Sequence, residues 1–223
     1  NGDWPWRACQ GVIGGTGWGR NGRDSSMKLY EDQRAPNPRR VRIFLAEKGI
    51  EVPRQQVDIM SGEHKGPAIS KLNPFERLPI LELDDGNVIC ESLAICRYFE
   101  AVQPDPPLFG AGALDQAMVE MWQRRVELSL FMPVSFAFRH GHPRMAHLEV
   151  PQVKEWGEAN LARIPKTLDY LDGELGGRQF MAGERYSVAD ITALCAVDFM
   201  KVVRLSLEGH ENLRRWHGDV SGR

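Results

Sequence analysis

A chain of 223 residues with 42% hydrophobic and 26% charged side chains has globular composition, enough for one large domain or two small ones. A net charge of −2 with no basic block gives no nucleic-acid footprint, and no apolar run nears the roughly 20 residues of a membrane span. Four cysteines (Cys9, Cys90, Cys96, Cys195) form neither a CxxC pair nor a metal-type spacing, so reduced thiols, a cytoplasmic setting and no metal are expected.

Residues 1–26 are glycine-rich, carry three tryptophans, keep no period and lack a signal-peptide core. They read as an extension without an assigned role, or as an arm that packs its tryptophans on a partner subunit. Met27 then opens a strand, MKLYE. In RAPNPRRVRIFLAEKG, Asn37 reads as an N-cap with Pro38 at the first helical position, where its missing N–H costs nothing. Val41, Phe44 and Leu45 follow helical spacing, and Gly49 closes the helix. A strand over VPRQQVDI comes next, then a short helical stretch in GPAISKLNP. Two strands, LPILEL and NVICES, flank a turn at Asp84-Asp85-Gly86, and ESLAICRYFEAV reads as a helix.

Residues 27–104 therefore form a small α/β domain, and 105–112 a linker within the stretch QPDPPLFGAG, which has three prolines and two glycines. Residues 113–223 read as an all-α domain, with helices over about 114–140, broken at Pro133, over about 152–175, and after GERYSVADITALCAVDF. Ser187 and Asp190 have the spacing of a capping box, with Tyr186 and Ile191 as a hydrophobic staple.

With NPFERLPILELDDG (73–86), ESLAICRYFE (91–100) and the capping box at 187–190, the chain resembles a cytosolic glutathione S-transferase from about Met27 to about Trp216. The active-site turn is similar to that of bacterial nu-like or theta-like members. The resemblance implies an α/β thioredoxin-like N-terminal domain plus an all-α C-terminal helical-bundle domain. It implies glutathione as co-substrate, a small hydrophobic electrophile as its partner in the reaction, and a homodimer. Leu78-Pro79 matches the family's cis-proline step, which turns the Leu78 backbone toward the cysteinyl part of glutathione; on the residues alone, a trans proline opening a strand is the default, and the resemblance is what favours cis. Glu91 and Ser92 match the pair that holds the γ-glutamyl end, and they also suit a plain helix cap. His64 and Arg77 match positions that reach the glycyl carboxylate in related classes, with Lys65 and Arg40 as nearby cations; His64 equally suits a solvated loop.

Family members lower the thiol pKa with a donor at the first helix N-terminus. The serine common there falls on Ala35, and no hydroxyl lies between Arg34 and Arg40. Asn37 is the remaining candidate, its oxygen turned to the backbone and its amide nitrogen outward; Arg39 and Tyr30 are weaker ones. The electrophile pocket is expected between the domains, lined by the segment 31–38 and the face of the first long helix; Met121, Trp122, Arg125, Leu128, Phe131 and Met132 lie on or near that helix, where such a stripe also suits core or a dimer contact. The expected activity is conjugation of the glutathione thiolate. Two other readings stay open: a glutathione-dependent disulfide or peroxide reductase, and a non-catalytic scaffold of the same fold.

Overall fold

The structure, a computed structural model, describes residues 27–223, so the readings of residues 1–26 lie outside the described residues. Strand β1 (Lys28–Glu31) pairs in parallel with β2 (Arg54–Gln56) and antiparallel with β3 (Ile80–Glu82), which pairs antiparallel with β4 (Val88–Cys90). The order is β2-β1-β3-β4. Strand alternation sorts the side chains. Leu29, Leu81 and Ile89 face one cluster, with Val41, Phe44, Ile95 and Phe99. Tyr30, Ile80, Val88 and Cys90 face the other, with Val57 and Ile69. The strand read over VPRQQVDI is shorter in the structure: it starts after Pro53, which has no N–H to give although its carbonyl accepts from Leu29 at 2.9 Å, and its last bond runs from the Val57 N–H to Glu31, where β1 ends.

Helices α1 (Pro36–Lys48) and α3 (Ser92–Val102) cover one face, and the short α2 (Pro67–Leu72) lies in the connection before β3. Gly49 ends α1 at φ 63°, a conformation open to glycine at little cost. No helix or strand spans the residues between Val102 and Ala113. Helices α4 (Ala113–Val126), α5 (Met132–Gly141), α6 (Lys154–Leu175), α7 (Val188–Phe199) and α8 (Glu211–Ser221) form the other half. Val188 and Ile191 of α7 pack into the α1 cluster, which joins the two halves.

Pro133 does not break its helix. A π turn at Glu127–Phe131 carries α4 into α5 without interruption. Proline removes the N–H that would have bonded Ser129, and the Ser129 carbonyl accepts instead from Thr167 Oγ1 at 3.0 Å. Ser187 and Asp190 do form the capping box at the start of α7. The Asp190 carboxylate, fully buried, accepts from the Ser187 N–H (3.0 Å), Ser187 Oγ (3.0 Å), the Met181 N–H (2.8 Å) and Trp216 Nε1 (2.9 Å). Among the described residues no helix is long and apolar enough to cross a membrane.

Candidate active site

Helix α1 starts two residues earlier than the Asn37 cap requires. Ala35 is its N-cap, extended at φ −83° and ψ 140°, with no side-chain cap. Arg39 donates to the Ala35 carbonyl at 3.2 Å, which fixes the frame. Pro36 then takes the first helical position, where its preset φ and missing N–H both fit. Asn37 is thus inside the first turn, and its oxygen accepts from Arg40 Nη1 at 3.3 Å rather than from a backbone N–H. With prolines at 36 and 38, and Arg39 engaged, Asn37 holds the one N–H of this turn without a partner among the described residues.

The turn opens on a cavity of about 500 Å³ between the two halves. Its sheet side is lined by Ala35, Asn37, His64, Lys65, Arg77 and Leu78; the opposite wall includes Phe138, Met145, Leu148, Val150, Phe199 and Val202. The sheet side mixes the cations Arg34, Lys65 and Arg77 with Asp32, Glu76 and apolar residues, and the opposite wall is mainly apolar apart from Ser135, Arg139 and Glu149. His64 is 8% exposed with Nδ1 unpartnered among the described residues, and burial, then the charge of Lys65, holds its pKa below the usual 6.5. It therefore meets a ligand as a neutral imidazole, and positive charge there comes from Lys65 and Arg77. Arg139 and Glu149, paired at 2.5 Å, complete that end from the helical half.

Of the predicted site residues, Asn37, His64, Arg77 and Leu78 line this cavity, whereas Pro79, Glu91 and Ser92 do not. The Leu78–Pro79 peptide is cis. Glu91 sits at φ 68° where β4 meets α3, a left-handed conformation uncommon for residues other than glycine. Ser92 is buried, and its Oγ accepts from Arg40 Nη1 at 2.7 Å. That guanidinium, 1% exposed, therefore reaches both Asn37 and Ser92. Glu127 Oε1 is 3.4 Å away and the Phe131 ring centroid 4.8 Å.

The weaker candidates are occupied elsewhere. Tyr30 donates to Glu82 at 2.7 Å, and burial, then that bond, raises its pKa to about 12. Arg39 pairs with Asp198 at 2.5 Å. The cavity is lined by residues of the segment 31–38 and, on the first long helix, by Ser135, Phe138 and Arg139, whereas none of Met121, Trp122, Arg125, Leu128, Phe131 and Met132 lines it. Trp122 and Phe131 belong to the helical core, because α4 packs that stripe inward, and the chain reaches the cavity only in α5. Sequence reasoning missed Ser135, the one hydroxyl in the lining, whose Oγ bonds the Phe131 carbonyl at 2.8 Å. Cys90, Cys96 and Cys195 are free thiols, and none lines the cavity.

The family models for the glutathione S-transferase N-terminal and C-terminal domains match residues 35–102 and 154–219. Glutathione S-transferase 2 of Saccharomyces cerevisiae is 37% identical over 195 residues, 86% of this chain and 84% of the yeast protein. The crystal structure of Gtt2 from the same yeast superposes with a TM-score of 0.84 at 36% identity, covering 88% of this chain and 96% of that one. A glutathione S-transferase domain-containing protein from Marinobacter aquaeolei VT8 gives a TM-score of 0.84 at 36% identity, with 88% and 98% covered. The chain belongs to the glutathione S-transferase family, and its activity is that of a glutathione transferase.

Proposed function

We propose that glutathione lies along the sheet side of the cavity with its sulfur at the Asn37 turn, and that a small hydrophobic electrophile occupies the apolar wall. The observation that carries this reading is the two-sided cavity itself, with a cationic end, an open helix start and an aromatic-aliphatic wall meeting in one space. In this reading the sheet half, 27–104, is the glutathione domain. The Leu78 backbone pairs with the cysteinyl part, as an added strand would. Arg77, Lys65 and neutral His64 take the glycyl carboxylate, and Glu91 and Ser92 hold the γ-glutamyl end. The positive φ of Glu91 supports that role, since such conformations cost about 1–3 kcal/mol and gather at ligand clamps.

A free thiol has a pKa near ~8.5, so little thiolate exists at neutral pH. The Asn37 amide, its N–H and the helix dipole stabilise the anion, each pKa unit being worth ~1.4 kcal/mol. The thiol proton leaves to solvent, the sulfur lone pair forms the new carbon–sulfur bond, and the leaving group departs with its electron pair. No protein thiol enters this scheme. Detoxification in the cytoplasm and assembly as a homodimer complete the proposal; Phe75, 81% exposed at the cavity rim, supports burial against a second copy.

Calorimetry with glutathione, alongside turnover of a chlorinated arene and of a mixed glutathione disulfide, divides the possibilities. Binding that weakens at least tenfold in Glu91→Ala, with arene conjugation the faster reaction, is expected. Disulfide turnover without conjugation selects the reductase reading, and absence of binding selects the scaffold.

A further inference from the structure

We propose that Arg40 is a positioning residue that sets the direction of two protons in the glutathione site: it turns the Asn37 amide nitrogen toward the sulfur and leaves the Ser92 hydroxyl proton free for the γ-glutamyl carboxylate. This rests on the glutathione placement above. A guanidinium has five N–H donors and no acceptor, so every oxygen it touches must accept. At 3.3 Å it therefore takes the oxygen side of the Asn37 amide, which puts the NH₂ on the other branch. At 2.7 Å it takes a lone pair of Ser92 Oγ, and the hydroxyl keeps its own proton to donate.

The distances separate this role from a simple brace between the halves. Buried arginines that serve as ion pairs hold their carboxylate closely, usually with two parallel bonds. Here the carboxylate contact, to Glu127, is the longest of the three at 3.4 Å, and the contact to Ser92 is the shortest at 2.7 Å. Nε and Nη2 are buried without a partner among the described residues. The side chain nonetheless has little freedom, being 1% exposed and laid against the Phe131 ring. Glu127 has other donors, Arg124 at 2.7 Å and Gln123 at 3.2 Å, so its charge does not depend on Arg40. All three contacts come from one nitrogen, Nη1, so removing Glu127's charge and removing that donor are separable operations.

The experiment reads the pKa of bound glutathione from thiolate ultraviolet absorbance, and separates KM for glutathione from kcat. Arg40→Gln removes the fixed direction, because a glutamine amide can accept as well as donate. It is expected to raise the bound-thiol pKa by about half a unit to one unit and the glutathione KM several-fold. Asn37→Ala raises the same pKa, and the double variant adds little more, since both changes remove one donor. Glu127→Gln moves neither quantity. Should Arg40→Gln not fold, Arg40→Met serves, because a thioether offers neither oxygen a donor. Unchanged pKa and KM in the Arg40 variants, with Asn37→Ala still effective, overturns this inference alone. Equal effects from Glu127→Gln overturn it in favour of a brace. An Asn37→Ala enzyme with unaltered thiol pKa overturns the underlying placement of the sulfur.

Discussion

Helix α7 begins on Ser187, whose N–H and hydroxyl both bond Asp190, and that carboxylate gathers two further donors from Met181 and Trp216. Helix α1 begins on Ala35, with two prolines in its first turn and no side-chain cap. Both helices lie in the same interface, since Val188 and Ile191 pack into the cluster built around Val41 and Phe44. The first end is sealed by its own side chains and can be buried. The second keeps one backbone N–H and one amide open, and faces a cavity. A helix start serves a ligand when nothing in the chain has already taken its donors.

The largest test of that contrast is Asp190→Ala, which strands four buried donors. A loss of about 3–5 kcal/mol in urea unfolding is expected, and a loss under about 1 kcal/mol would show that the seal is not what holds α7. The pH profile carries a related signature. Burial pushes the Asp190 carboxyl up to about 6 from 3.8, against the hydrogen bonds that pull it down. The folded state then binds more protons than the unfolded one between those values, so this group's stabilisation is complete below about 4 and fades as pH rises through about 6. Subtracting the Asp190→Asn profile from the parent's isolates that slope; a slope of opposite sign would mean the four donors outweigh burial.

Next in size, Asn37→Ala is expected to lower kcat/KM about ten- to a hundredfold while changing stability by less than about 0.5 kcal/mol. A large stability loss there would make Asn37 a structural residue like Ser187. Ser187→Ala should cost about 1 kcal/mol in thermal unfolding with glutathione affinity unchanged. The smallest effect is expected from Ala35→Ser, which gives α1 the cap it lacks. Its hydroxyl can accept only from Asn37, because Pro38 offers no N–H, so a gain of about 0.5 kcal/mol measures how open that donor was.

What the sequence shows follows from the range of each signal. The capping box is legible because both partners lie within one turn, and the alternation in β1, β3 and β4 because a period of two needs only neighbours. The start of α1 is misread because Pro36 and Pro38 each satisfy the local rule for a first helical position. Only the bond from Arg39 to Ala35 decides between them. Which residues of the long helix face the pocket is not legible because the Trp122 stripe is apolar whether it faces a core or a ligand. Arg40 had one visible sign: it shares a helix face with Asn37 and Phe44, a cation in a stripe that points inward. Its meaning depends on Ser92 and Glu127, 52 and 87 residues away, which no local pattern reports.

The widened turn at Glu127–Phe131 has one more effect. It inserts part of an extra residue between two stretches of α-helix, and each residue rotates a helix by about 100°. Everything downstream, Phe138 and Arg139 included, is aimed by that offset, while the turn itself presses Phe131 against the Arg40 guanidinium that reaches Asn37. The apolar wall and the Asn37 turn thus share a single joint. Sequence drift that re-aims the apolar wall there will be felt at the Asn37 turn as well.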